Sequence, residues 1–211
     1  MLRGAIDLAD EGGMEALTMR RLARALGVEA MSLYYHAANK DDILDGILDL
    51  VVREIELPGL GAPWKAALRA SATSAHEVLR RHPWTCNLLM SPAHVCPARL
   101  RQMEALLRCL RDGGLSVELT DRAYHALDSH ILGFTLWEAG YTSGFKGAPA
   151  DFATTFLREL SDEDYPHLAD HVAYHLRPPS GDRGGDFVFG LDLILDGLER
   201  ALDLASVQES A

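Results

Sequence analysis

Along most of the chain apolar residues return every three or four positions, with Gly or Pro between the periodic stretches. At about 3.6 residues per turn, that spacing brings each set onto one helical face. No alternating run enriched in β-branched residues makes a strand, so the pattern predicts an all-α protein. The spacing predicts helices over 2–11, 18–26, 29–36, 41–56, 64–81, 84–90, 97–112, 117–140, 151–160, 162–176 and 186–204. LPGLGAP (57–63) and RPPSGDRGG (177–185) are the clearest interruptions. The first divides the chain into a small N-terminal unit with its linking helix, residues 1–56, and a larger helical unit, residues 57–211. Neither an internal repeat nor a low-complexity tract is visible.

Residues 18–40, TMRRLARALGVEAMSLYYHAANK, are the most specific stretch. Thr18 suits an N-cap, Leu22, Ala23 and Leu26 follow at core spacing, and Gly27 offers the left-handed position that ends a helix. Leu33 and Ala37 supply the inner face of the next helix, and Ala23 is small where the two helices would cross. That order describes a helix-turn-helix, whose second helix is free to enter a DNA major groove. Tyr34, Tyr35 and His36 are consecutive, and at about 100° per residue three bulky side chains cannot share one core face. With Leu33 inward, Tyr35 points about 200° away and Met31 shares its side, where a plain helical hairpin would carry Lys or Glu.

Charge sharpens this picture. The net charge of −11 argues against loose, charge-driven binding of nucleic acid or anionic membrane over the whole surface. Residues 1–40 balance five basic against five acidic side chains, so the whole excess belongs to 41–211; within 18–40 the count is four basic to one acidic. A locally positive head is predicted on an acidic body. Cys86, Cys96 and Cys109 have neither metal-knuckle nor redox spacing and read as reduced, core-filling thiols. With no basic-then-apolar leader and no apolar run near the roughly 20 residues that span a bilayer, a cytoplasmic protein is expected.

The segment LTMRRLARALGVEAMSLYYHAANKDDIL (17–44) resembles the DNA-binding head of the tetracycline-repressor (TetR) family of bacterial transcription regulators. FVFGLDLILDGLE (187–199) is similar to the last helix of the tetracycline-repressor subgroup, and Trp64 and His82 stand at its matching places. The resemblance implies DNA contacts from Met19 and Arg20, from Ala30, Met31, Ser32, Tyr34, Tyr35 and His36, and from Lys40. Arg20 can pair bidentately with a guanine edge, Tyr34, Tyr35 and His36 can hold phosphates, and Met31 and Ala30 offer only apolar contact. Tetracycline repressors carry Gln in place of Ala30, so a different operator is expected.

The resemblance also implies a homodimer closed by a four-helix bundle, two helices from each subunit, here those near 117–140 and 186–204. Phe187, Leu191, Ile194, Leu195, Leu198 and Leu202 on one, and Leu127, Ile131, Leu132, Phe134, Leu136 and Trp137 on the other, make stripes wider than one core contact needs. Tetracycline repressors hold a magnesium-bound drug with two His, an Asn and an Arg beside a Phe. In this chain Ser71, Ala75, Leu89 and Ala93 stand at the Asn, Phe, metal-ligating His and Arg places, and Glu56 at the remaining His, the end of the fourth helix. The expected pocket is therefore apolar and metal-free, lined in addition by Met90, His94, Met103, Leu107, His130, Phe134 and Trp137. A small, largely apolar effector is expected to displace the helix at 41–56 and release a double-stranded operator. No cofactor is called for.

Catalytic patterns are missing from the sequence: no nucleophile triad, no paired-carboxylate site, no phosphate-cradling loop in TSGFKGAP (142–149) and no HExxH. The sequence thus reads as a regulator and not an enzyme. HLADHVAYH places His167, His171 and His175 at four-residue spacing, either a solvated or dimer-facing stripe or a transition-metal site. The alternative to a regulator is a helical small-molecule carrier or interaction adaptor whose head no longer binds DNA.

Overall fold

Thr18 starts the first helix of the expected helix-turn-helix as predicted: its Oγ1 accepts from the Arg21 N–H at 3.2 Å, and Gly27 ends that helix at φ 67°, ψ 29°. There the Gly27 N–H reaches the Arg24 carbonyl and the Val28 N–H the Ala23 carbonyl, the paired closure of a left-handed helix stop. The computed structural model describes residues 1–59, 61–143, 164–176 and 184–209, and helix is the only regular structure among them. In chain order these are α1 (Leu2–Ala16), α2 (Met19–Leu26), α3 (Ala30–Leu33), α4 (Lys40–Val52) and α5 (Trp64–Arg81). Then come α6 (Trp84–Leu89), α7 (Pro97–Asp112), α8 (Val117–Ser143), α9 (Pro166–Leu176) and α10 (Gly184–Glu209).

Three boundaries differ from the sequence expectation for local reasons. Helix α1 runs on to Ala16 but turns at Gly13, whose φ of 69° and ψ of −178° break the helical path. Helix α3 is a single turn, and Tyr34, Tyr35 and His36 continue it as a tighter turn, with the His36 N–H on the Leu33 carbonyl at 2.9 Å. Helix α4 stops at Val52, so Glu56 is not at its end; the Glu56 N–H instead meets Ser74 Oγ at 3.0 Å and its carbonyl accepts from Ser71 Oγ at 2.7 Å. The helix expected at 151–160 and most of the break at 177–185 lie outside the described residues.

Helix α4 is the strut of the molecule. Asn39 caps it by accepting from the Asp42 N–H, and Asp42 answers by accepting from the Ala38 N–H. Its Ile43, Leu44, Ile47, Leu48, Val51 and Val52 are all buried, because α1 packs on one side and α5, α6 and α7 on the other. One apolar cluster runs from Ala5 in α1 through α4 to Leu198 in α10. Each fully buried Leu or Ile in it contributes about 1.5–3 kcal/mol against leaving it exposed.

In α10, Phe187, Leu191 and Leu195 are fully buried against α5 and α8, so this part of the expected intersubunit stripe belongs to the subunit's own core. Leu127, Ile131 and Leu132 of α8 are buried likewise. A different α10 face stays open, with Phe189, Leu193 and Leu204 exposed and Gly197 facing open space.

Candidate nucleic-acid interface and ligand chamber

With Leu33 and Ala37 turned into the core, the opposite side of the head carries Met31, 74% exposed, and Tyr35, 91% exposed. Tyr34, Ser32, His36, Arg20 and Lys40 are also exposed, joined by Arg21 and Arg24. Met19 and Ala30 are half-buried and pack against the core, at the base of that surface. Among the described residues Arg20, Arg21, Arg24 and Lys40 form no ion pair, whereas Lys65, Arg69, Arg81, Arg99, Arg108 and Arg122 of the body all do. Those six body cations have a carboxylate partner, whereas the four head cations are available to phosphate.

Three carboxylates tie this head and its strut to the body. Asp10 of α1 accepts from Trp84 Nε1 at 2.7 Å and meets His82 Nδ1 at 2.8 Å. On α4, Asp45 meets His94 Nδ1 at 2.8 Å and Asp49 accepts from the Ala98 N–H at 2.8 Å, at the first turn of α7.

The residues expected to line a ligand pocket separate into three groups. Ala75 and Leu89 line a cavity of about 20 Å³ between α5, α7 and α8. Its other apolar walls are Ile55, Leu68, Ala72 and Leu79 on one side and Leu106, Leu127, Ile131 and Leu132 on the other; its polar floor is Arg99, Gln102 and Asp128. Met103 and Leu107 pack against the same core.

His130, Phe134 and Trp137 form a second group, an aromatic cluster with Phe187 and His76. The remaining positions are elsewhere: Ser71 is buried and holds the Glu56 carbonyl, His94 is paired with Asp45, and Met90 and Ala93 are exposed.

His76, Arg99, Gln102 and Asp128 were not legible as site residues. The one signal for Arg99 and Gln102 was polar side chains on the buried face that continues at Leu106 and Leu110. His76 stacks on Phe187 at 4.0 Å, and its Nδ1 lies 3.0 Å from Thr135 Oγ1. That hydroxyl already donates to the Ile131 carbonyl, so it accepts from His76 Nδ1, while the other ring nitrogen, Nε2, lies 3.3 Å from Glu138 Oε2. Burial, then Arg80 and His130, push the imidazole down to about 4, and the Glu138 carboxylate beside Nε2 favours the charged ring against them.

Burial likewise lifts the Cys86 thiol to about 12 and raises those of Cys96 and Cys109, which keeps all three protonated. His167 and His171 are exposed on α9, while the His175 side chain lies outside the described residues. Among the described residues no cluster of three or more His, Cys, Asp or Glu could hold a metal ion, and no helix is long and apolar enough to cross a membrane.

A family model described as bacterial regulatory proteins, tetR family, matches residues 1–47, and one described as tetracyclin repressor-like, C-terminal domain, matches 57–202. The chain belongs to the TetR family of transcription regulators. It is 34% identical to the HTH-type transcriptional repressor DrrR1 of Streptomyces coeruleorubidus, over 94% of this chain and 76% of that one. Its fold is similar to that of the TetR family protein ActR of Streptomyces coelicolor solved with actinorhodin, at TM-score 0.73 and 29% identity over 95% of both chains. It is also similar to BioQ solved on its double-stranded DNA operator, at TM-score 0.61 and 25% identity over 93% of this chain and 94% of that one.

The positions expected to match the tetracycline clamp offer little to a polar drug. Ser71 has its hydroxyl committed to the α4 to α5 connection, and Ala75 and Leu89 contribute only hydrocarbon.

Proposed function

We propose that this TetR-family chain is a homodimeric, cytoplasmic repressor that leaves a palindromic operator when a small, largely apolar effector enters the body. In this reading residues 1–56 form the DNA-binding head with its strut, residues 57–211 bind effector and partner, and the protein catalyses nothing. The observation that carries the proposal is the exposed head surface of Met31, Tyr34, Tyr35 and His36 beside free cations, mounted on a strut that ends at the chamber. The operator-bound BioQ structure and the actinorhodin-bound ActR structure support the two halves of it. Arg20 reads a base edge, Tyr34, Tyr35, His36 and Lys40 hold phosphates, and Met31 and Ser32 meet the groove floor.

The coupling runs through the end of the strut. Ile55 lines the cavity, and Glu56 is fastened to Ser71 and Ser74 on α5, whose Ala72 and Ala75 form the same wall. An effector that widens the cavity displaces Ile55 and tilts α4, which moves each head relative to its twin. Coupling of this kind is about 1–3 kcal/mol and reciprocal, so operator DNA weakens effector binding by the same factor. The open faces of α8 and α10, with Gly133, Gly197, Phe189 and Leu193, support a partner subunit at that side.

Selection from random duplex DNA at two salt concentrations tests the reading. A palindromic consensus is expected, with half-sites spaced by whole helical turns and log affinity falling by about 0.9 per neutralised phosphate for each unit of log salt. Absence of any enriched sequence overturns it.

A further inference from the structure

The polar floor of the chamber is a closed network. Arg99 Nη2 donates to both oxygens of Asp128, at 2.7 and 2.8 Å, and lies 3.0 Å from the Tyr124 hydroxyl; Nη1 donates to Gln102 Oε1 at 3.0 Å. Arg99, Gln102 and Tyr124 are each more than nine-tenths buried, and Arg99, Gln102 and Asp128 face a cavity whose other walls are hydrocarbon. A buried ion pair is costly to desolvate, and well-packed apolar residues of similar size serve stability as well or better. Its chemistry therefore points to selection of what enters.

We infer that the effector is a neutral, mainly apolar molecule carrying a hydrogen-bond acceptor beside a donor, as in a lactam or a hydroxy-ketone. This rests on the reading of the body as the effector domain. The floor has no net charge, so an entering anion meets the Asp128 carboxylate and an entering cation meets the Arg99 guanidinium. Either ion would be desolvated against a like charge. A neutral acceptor can instead take a remaining N–H of Arg99 or the amide N–H of Gln102, whose oxygen is already committed to Arg99. A neighbouring donor can give to a remaining lone pair of Asp128.

At about 20 Å³ the cavity has room for roughly one water, so the ligand opens it on entry. Leu89, on the six-residue α6, is an only half-buried wall of that cavity. Opening at that wall acts on the chamber that Ile55 also lines, so the polar floor sets which molecules reach the strut.

Equilibrium dialysis of the full chain against three bicyclic probes of similar size tests this near neutral pH, with 2-quinolone, naphthalene and 2-naphthoate. Binding of 2-quinolone is expected to be about ten-fold tighter than that of either other probe. The Arg99→Met, Asp128→Leu double variant, which keeps bulk and removes both charges, should bind naphthalene at least as well as 2-quinolone. Gln102→Leu alone should shrink the preference several-fold, and it serves if the double variant fails to fold. Equal or tighter wild-type binding of naphthalene or 2-naphthoate overturns the inference, as does an undiminished preference in the variants. So does the absence of saturable 2-quinolone binding up to about 1 mM. Dialysis involves no DNA: a failed operator selection with this preference intact sinks only the regulator reading, and the converse sinks only the ligand class.

Discussion

Tyr35 packs on almost nothing in its own chain, so its place on the head surface answers to something outside the subunit. Tyr35→Phe should leave unfolding within about 0.5 kcal/mol of wild type. It should weaken every operator sequence alike by about 1 kcal/mol, read by anisotropy over a panel of duplexes. A shift in base preference would show that the hydroxyl reads sequence. Gly190 is the opposite case, small because something is close. A Cβ there would lie 2.5 Å from His130 Cε1, and that ring is stacked on Phe187 with Nε2 held 2.9 Å from the Phe187 carbonyl. Gly190→Ala should therefore cost about 1–3 kcal/mol in urea denaturation.

His76 makes stability depend on pH. Its folded value of about 4 lies below the ordinary 6.5, so between those limits the unfolded chain binds a proton that the folded chain refuses. Stability should then fall as pH drops from about 6.5 toward 4, by less than about 2–3 kcal/mol because the Glu138 carboxylate 3.3 Å from Nε2 offsets part of the burial cost. Denaturant melts at pH 7 and 4.5 read the slope, which His76→Gln should flatten.

At the scale of elements, head and body are joined by side chains as much as by the strut itself. Asp10→Ala strips the partners from Trp84 Nε1 and His82 Nδ1 at the corner between α5 and α6. The expected loss is about 1–3 kcal/mol by chemical denaturation, and Asp10→Asn, which keeps an acceptor for Trp84, should lose less. The brevity of α3 belongs to this scale too. Its residues were legible as helical, but Leu33 and Ala37 are both buried, α3 packs on α2, and the chain tightens after Leu33 instead of completing a second turn. Arg99 and Asp128 show why the chamber was harder to read. They are 29 positions apart on different helices, and no periodicity within either helix announces the other.

For the whole molecule, the open face of α10 carries the dimer expectation. Leu193→Asp places a charge among Phe189, Gly197 and Leu204, and should yield a folded monomer by sedimentation with operator affinity reduced by at least ten-fold. In the acid-rich body, cations of α5 are tied to carboxylates of α10: Lys65 reaches Asp196 and Glu199, and Arg69 reaches Asp192. Arg20, Arg21, Arg24 and Lys40 of the head are exposed, and among the described residues they form no ion pair; residues 18–40 hold four basic side chains to one acidic.

By itself the sequence determined the helical class, the reading head and the family. Those depend on local matters: apolar period, a capping Thr18, Gly27 at a positive φ, and the impossibility of burying three adjacent bulky side chains. Only the tertiary structure decided which apolar stripe of α10 faces inward, that Ser71 fastens the strut instead of facing a ligand, and that Arg99 and Asp128 meet on a chamber wall. A helix presents several faces at once. Which of them becomes core is settled by the neighbours that pack against it, and those lie far away in the sequence.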